Sequence, residues 1–588
     1  MKRIILSIIG ILLIIVCHAH VVPREKAAAT AADVFRSIHT PTGTPVSEPR
    51  LVKQDSNMYV FENEGGGYAV VAADDISVPV LGFATSGRFP LHDMPDNLRA
   101  LLDWYGRVIS FAKEQGWEVP TTVRSSAGAS EKEVLLKTAH WNQWHPFNDL
   151  SPTVEGKKCP SGCVATAIAI IMKYHKYPEK GTGVLPDYDF GWDSKTSQYQ
   201  YHIKGHALGH KYDWKSMPDE ASSYTDYESA QIAQLLYDIG VMCQMDFYPT
   251  GSGAASTCPL SLCDYFDYDR SMRYFDREYF STNIWEQMIR DEIDAGRPVF
   301  HCGYSEEGGH AFVVDGYKGN YFSLNYGWGG GSSYYLLTPI EGHNRELTEF
   351  YRWQSIVTHI MPNQGGAPYL NPLIPYNYIP FGWNFENKTM PGGDLYLWSY
   401  STGSGEMDVA YAIYDKNGQF KQLVSTVEKV MLLSYQYVSL PEMSINLPEA
   451  IADGDCIKLS RLDGEEWSPI PQESNCSFRF DRSRPLRQMV SVGHKFGWPF
   501  EGEVDDSFPV VFFDMYKDIW WELQNEEGTV LITSGLQWWG PCYVPASSAQ
   551  LLDEESRLMR YALRLTAGRT YRMVIRNFNE TLTFTFSM

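Results

Sequence analysis

Cys159-Pro160-Ser161-Gly162-Cys163-Val164-Ala165-Thr166-Ala167-Ile168-Ala169-Ile170-Ile171-Met172-Lys173-Tyr174-His175-Lys176-Tyr177-Pro178 puts a cysteine at the mouth of an apolar helix. The run Val164 to Tyr177 is rich in Ala, Ile and Met. Pro178 ends it, because proline has no backbone donor and its ring clashes with the preceding turn. Gly162 permits a tight backbone approach, so Cys163 falls in the first helical turn. The positive end of the helix dipole is expected there to lower the thiol pKa and favour a thiolate. The alternative is a structural thiol, or a disulfide to Cys159 four residues away. A nucleophile also needs a base, a group that orients the base, and donors for an oxyanion.

The chain offers candidates for all three. His310 follows Gly308 and Gly309, a predicted turn leading into a buried strand, and the glycines leave room for substrate or for the Cys163 helix. Asn325 lies on the next predicted strand, where its side-chain oxygen would accept from the imidazole and fix its tautomer. Trp328 would cover that contact and exclude water, with Tyr326 beside it. Gln143, in Trp141-Asn142-Gln143-Trp144, precedes the nucleophile by twenty residues. Its amide and the Cys163 backbone N–H would bind the oxyanion. His140, His145, His175 and His301 read as surface, capping or supporting groups.

The order Gln, Cys, His, Asn is that of papain-like peptidases, and the local motifs are more specific. Leu135 to Gln143 with Pro146-Phe147-Asn148, Gly162-Cys163-Val164-Ala165-Thr166-Ala167, Met172 to Pro178, Gly308 to Tyr317, and Asn325-Tyr326-Gly327-Trp328-Gly329-Gly330 resemble the streptopain family of secreted bacterial cysteine peptidases. Leu235 to Gly240 and Met245 to Gly253 are similar to that family too. Upstream, Tyr59 to Asp75, Val80 to Phe83 and Met94 to Leu98 resemble its inhibitory prosegment. The resemblance implies an α+β, papain-like catalytic domain acting on proteins or peptides without a cofactor, kept latent by its own prosegment. Three positions depart from the family pattern. Tyr326 stands where Trp is usual, Phe147 where Tyr is usual, and Ile170 where a polar residue is common.

Length and composition fit this reading. A chain of 588 residues implies several domains. Net charge of −22 argues against a nucleic-acid partner. Met1-Lys2-Arg3, the apolar run Ile4 to Val16 and Cys17-His18-Ala19 read as a secretory signal, too short for a comfortable span. Lipoprotein anchoring at Cys17 is disfavoured by Val16. Of ten cysteines, nine would remain after signal removal, and no paired CxxC spacing suggests a zinc cage. The expected partition is signal 1–19, inhibitory prosegment 20–132 with a small-residue linker at 120–130, catalytic domain 133–362, a β-sandwich at 363–484 and a second β-rich domain at 485–588.

Predicted helices cover Met94 to Ala112, Tyr227 to Met242 and Ile284 to Ala295. Beyond 363 the pattern turns to hairpins, at Val409 to Phe420 and again from Tyr561 to Phe586. Trp383, Trp398, Trp520, Trp521, Trp538 and Trp539 read as sandwich core, with a glycan or host-surface ligand as the alternative. Asp264 to Asp269 reads as solvated loop rather than a calcium site. Two rival functions share the motifs: a transglutaminase-like Cys-His acyl transfer, and a catalytically silent surface adhesin.

Overall fold

The structure is a computed structural model. It describes residues 21–39, 46–92, 94–115, 117, 132–220, 223–277, 280, 282–305, 308–329, 333–340, 354–373, 396–440, 443, 446, 452, 454–471, 477–479, 490–496, 509–516, 520–533, 549–553, 558–564, 569–576 and 581–587. The expected signal, Cys17, the 120–130 linker, Trp383, Trp538 and Trp539 lie outside them. The chain divides into two compact units, Met1–Ala367 and Pro368–Met588.

The first unit runs α1 (Arg24–His39), β1 (Arg50–Gln54), β2 (Met58–Glu62), β3 (Tyr68–Ala72), β4 (Val80–Ala84), α2 (Asp96–Glu114), β5 (Glu133–Leu135), β6 (Thr153–Val154), β7 (Lys157–Lys158), α3 (Cys163–His175), β8 (Tyr188–Asp193) and β9 (Gln198–Ile203). It continues through α4 (Asp226–Met242), α5 (Leu262–Tyr265), β10 (Arg273–Asp276), α6 (Thr282–Asp294), β11 (Val299–Ser305), β12 (Gly308–Lys318), β13 (Tyr321–Asn325), β14 (Ser333–Tyr335) and β15 (Ser355–Thr358).

An antiparallel sheet of order β1-β2-β3-β4-β14-β13-β12-β11-β15-β10, with β5 also on β12, spans this unit. The prosegment-like strands and the His310 strand thus share one sheet. The join is β4 against β14, Phe83 opposite Tyr334 and Gly82 opposite Tyr335. Gly82 is required there, since a Cβ would lie 2.2 Å from the Tyr335 ring. Cross-links repeat along the seam. The Tyr321 hydroxyl donates to the Val80 carbonyl at 3.0 Å, Ser77 Oγ to the Pro339 carbonyl at 2.8 Å, and Tyr105 to the Leu336 carbonyl. One apolar core contains α1, α2, β2 to β4, α6 and the β13–β14 region.

Helix α1 was not among the expected elements, yet its signal is present. Ala27, Ala31, Val34, Phe35 and Ile38 recur at helical spacing and are all buried. A second difference concerns Gly308 and Gly309. They already pair as strand, opposite Ser305 and Tyr304, and do not form the turn the glycines suggested. Helix α4 starts on a capping box, Thr225 with Glu228.

In the second unit, Pro372–Leu373, Tyr396–Ser399 and Tyr437–Ser439 form a small sheet facing a six-stranded one centred on Gly405–Tyr414 and Cys456–Asp463. Further on, two four-stranded sheets are centred on Pro509–Tyr516 with Leu558–Arg564, and on Trp520–Gln524 with Thr570–Arg576. The hairpin reading holds around Gly418, whose φ of +81° suits the turn. It fails between Leu558–Arg564 and Thr570–Arg576, which belong to different sheets. Strand periodicity shows a strand but not its partner.

Candidate active site

Helix α3 begins at Cys163 after Gly162, whose φ of +87° favours glycine. Space demands glycine as well: a Cβ would meet the Ser252 carbonyl at 2.8 Å and Met245 Sδ at 3.0 Å. The Gly162 carbonyl accepts from the Thr166 N–H at 3.0 Å and from Thr166 Oγ1 at 2.8 Å. Ser161 ties this turn to the Gln143 segment: its N–H donates to the Gln143 carbonyl at 3.0 Å, and its hydroxyl contacts Thr166 Oγ1 at 3.1 Å. Gln143 is itself buried. Lys176 then takes a left-handed φ of +51° and ends the helix, two residues before Pro178.

Strand β12 packs on α3. The Ala311 backbone N–H lies close enough to the Cys163 sulfur to lower its pKa, so the residue next to His310 sits beside the thiol. His310 is half-buried and pairs with Gly303 across β11, while Gly309 is exposed. Cys163, Gln143 and the His310 segment therefore meet at one place, where a helix-bearing half faces a sheet.

Burial pushes the Cys163 thiol pKa up, against the expectation from the helix dipole. The backbone N–H groups of Ala311, Val164 and Cys163 pull it down, and the Asp96 carboxylate adds to the rise. Asp96 opens α2, a helix of the prosegment-like region. In this precursor the loss of solvent around the thiol outweighs the pull of the helix terminus.

Asn325 is buried but bonded differently from expectation. Its amide donates to Thr138 Oγ1 at 3.0 Å and to the Ala139 carbonyl at 2.9 Å, and its oxygen accepts from the Gly327 N–H at 3.2 Å. Thr138 in turn donates to Asp315 at 2.5 Å, and Ser323 donates to the other Asp315 oxygen at 2.6 Å. This buried network of Thr138, Asp315 and Ser323 was missed. Asp315 and Ser323 are single polar residues in apolar stretches, Thr138 sits in the mixed run Leu136-Lys137-Thr138-Ala139-His140, and none has a local pattern to mark it. Asp315 alone carried a hint, as a charge inside a strand read as buried. Tyr326 packs on Phe312 and Tyr335, at centroid distances of 5.8 and 6.3 Å, toward the core shared with the prosegment-like strands. Trp328 is half-buried, and Gly329 donates its N–H to the Trp141 carbonyl at 2.9 Å.

The surface alternative for His301 falls, and the reading of Asp269 needs correction. His301 is no surface group: it is buried between Trp285 and Phe312, stacked 4.6 Å from the latter, and burial with the Arg277 charge pulls its pKa down to about 3. Asp269 is no solvated loop residue. It is buried, and accepts from the backbone N–H groups of Ser271, Gln364 and Gly366.

Known proteins are similar to this chain. Residues 141–336 match the Peptidase C10 family, and residues 19–109 match the Spi protease inhibitor family. Streptopain of Streptococcus pyogenes serotype M28 is 32% identical over 327 residues, which cover 52% of this chain and 81% of streptopain. The chain belongs to the Peptidase C10 family: it is a cysteine-type peptidase made as a zymogen, with an inhibitory prosegment ahead of an α+β, papain-like catalytic domain.

The thiol protease/hemagglutinin PrtT of Porphyromonas gingivalis is 31% identical over 448 residues, 71% of this chain and 51% of PrtT, so the chain spans about half of that protein. Among solved structures, a fragment of Prevotella intermedia prointerpain A is 28% identical, with a TM-score of 0.45, and covers 53% of this chain and 98% of the fragment. Family membership answers the two rival readings in favour of peptide-bond hydrolysis. Among the described residues no helix is long and apolar enough to cross a membrane.

Proposed function

We propose that Cys163 is the nucleophile and His310 its base and acid, with Gln143 and the Cys163 N–H as the oxyanion site and Asn325 as a positioning residue. The observation carrying this reading is the meeting of three separated segments at the start of α3. Ser161 binds the Gln143 segment to the Cys163 turn, and the backbone N–H of the residue after His310 lies beside the sulfur and lowers its pKa.

In the activated enzyme the Cys163 thiolate adds to a peptide carbonyl. The Gln143 amide and backbone N–H groups take up the charge of the tetrahedral oxyanion. The imidazolium of His310 protonates the leaving amine, which leaves an acyl-thioester on Cys163. Neutral His310 then removes a proton from water, and hydrolysis frees the acid and the thiol. Asn325 fixes the Gly327 turn and the Thr138–Ala139 segment beside Gln143 and so holds both walls of the cleft. Trp328, Tyr326 and Gly309 shape and shield it.

Latency follows from the continuous sheet. The prosegment adds four strands to β14 and places Asp96 near a thiol that burial already keeps protonated. Cleavage at 120–133 would release that hold. The apolar segment after Met1-Lys2-Arg3 supports export. The second unit, 368–588, would then position the enzyme or bind a surface ligand. The test is hydrolysis of casein by the full chain before and after cleavage in 120–133, with Cys163→Ala alongside. Equal rates before and after, or activity in Cys163→Ala, would overturn the reading.

A further inference from the structure

We propose that Cys243 and Cys258 form a disulfide that ties down the loop backing the nucleophile. Cys243 caps the C-terminus of α4, and Cys258 begins the short 3₁₀ turn Cys258–Ser261. Both are buried thiols. Cys258 Sγ lies 3.6 Å from the Cys243 carbonyl oxygen and donates to it, which brings the Cys258 thiol up to the Cys243 backbone.

The fourteen residues between them, 244–257, form a folded-back loop. Asp246 and Gly253 exchange both backbone hydrogen bonds, at 2.8 and 3.0 Å. This loop presses on the nucleophile's turn. Ser252 Oγ donates to the Pro160 carbonyl at 2.8 Å, and Met245 with Ser252 fills the space where a Gly162 side chain would stand. The Tyr188 hydroxyl holds the Met245 carbonyl from the other side at 2.9 Å. A covalent tie across the loop's base therefore acts on the wall that shapes the Cys163 turn.

The chemistry is thiol–disulfide exchange. The thiolate of one cysteine attacks an exchanging disulfide, forming a mixed disulfide and expelling one thiolate of the oxidant. The second cysteine's thiolate attacks the protein sulfur of that mixed bond, forms the Cys243–Cys258 bond and expels the second thiolate. Two protons and two electrons leave with the oxidant, which is a small-molecule disulfide or a disulfide oxidoreductase of an export compartment. Burial and the neighbouring thiol keep Cys243 protonated in the folded chain. Exchange therefore proceeds during folding or on transient opening of the loop, and the formed bond resists reduction.

The experiment uses the full chain with Cys163→Ala, which removes the catalytic thiol. The protein is refolded in a glutathione redox buffer, alkylated in denaturant without reductant, and digested with trypsin and then chymotrypsin, so that cleavage after Phe247 separates the two cysteines. The expected product is a pair of peptides joined through Cys243 and Cys258, with Cys159 and Cys302 alkylated. Reduction should lower the Tm by on the order of 5–10 °C, and the same shift should be absent in the Cys258→Ala variant of this protein. Alkylation of both Cys243 and Cys258, or a bridge from either to Cys263, would overturn the proposal. The peptide map needs neither cysteine replaced, so a Cys258→Ala variant that fails to fold leaves the test intact.

Discussion

Residues 1–367 and 368–588 both rest on antiparallel sheets, but they bury different things. In the first unit the described core holds Gln143, Asn325, Asp315, Asp238, Asp269 and His301 beside its apolar side chains. In the second, the buried charges described are Asp455, paired with Lys421 at 2.6 Å, and Arg461, paired with Asp463 at 2.8 Å; the remaining buried polar groups are mainly hydroxyls. Burying polar groups costs free energy unless each finds partners. A unit that retains many of them does so for positioning, and the largest effects of substitution belong there.

The greatest effect is expected at the thiol. Cys163→Ala should abolish hydrolysis and leave the precursor at full length, and His310→Ala should lower kcat/KM by on the order of 10⁴. Steady-state kinetics on a short peptide checks both, with circular dichroism to confirm the fold. Gln143→Ala should cost roughly 10²–10³ in kcat, the range typical of one oxyanion donor. Asn325→Ala should cost about 10–100-fold, because it loosens Gly327 and Thr138 rather than removing a reacting group. A loss at Asn325 equal to that at His310 would mean that Asn325 takes a direct part in the chemistry.

Acid stability sharpens the contrast between the units. His301 is held neutral by burial and by Arg277, with its pKa pulled down to about 3. Its contribution is fully present above the unfolded value near 6.5 and is lost as pH falls toward 3. Between pH 6.5 and pH 5 the first unit should therefore lose about 2 kcal/mol through this group. His301→Phe, which keeps a flat ring against Phe312, should remove that loss in urea unfolding at the two pH values. An unchanged pH dependence would show that the acid-labile group lies elsewhere. The smallest effect is expected from removing 368–588, which should change short-peptide kcat/KM of the activated enzyme by less than about twofold. Loss of all activity in a folded truncation would erase the division between the units.

Much of the first unit was legible because its chemistry ties residue types to local spacing. Gly162-Cys163 before an Ala/Ile run and Asn325 before a glycine-rich turn each state a local geometry, whereas Gly308 and Gly309, read as a turn, lie within β12. The closing helices Asp226–Met242 and Thr282–Asp294 fell within two residues of expectation. What the residues did not reveal is non-local. The joining of β4 to β14 depends on Gly82 fitting under Tyr335, two positions far apart in sequence. The Asp315 network depends on a strand register, and the raised thiol pKa on burial in the folded chain. Dipole reasoning at Cys163 had the right local sign but omitted the desolvation that outweighs it in the precursor.

The most direct test of the central claim is covalent trapping. A peptide-like cysteine trap is offered to the intact precursor, to protein cleavage-activated in 120–133, and to activated His310→Ala, with the labelled residue located by mass spectrometry. Rapid labelling of Cys163 in the activated protein alone, with little in the precursor and in His310→Ala, is the predicted result. Labelling of Cys159 instead, or equal labelling of Cys163 in all three, would contradict the account.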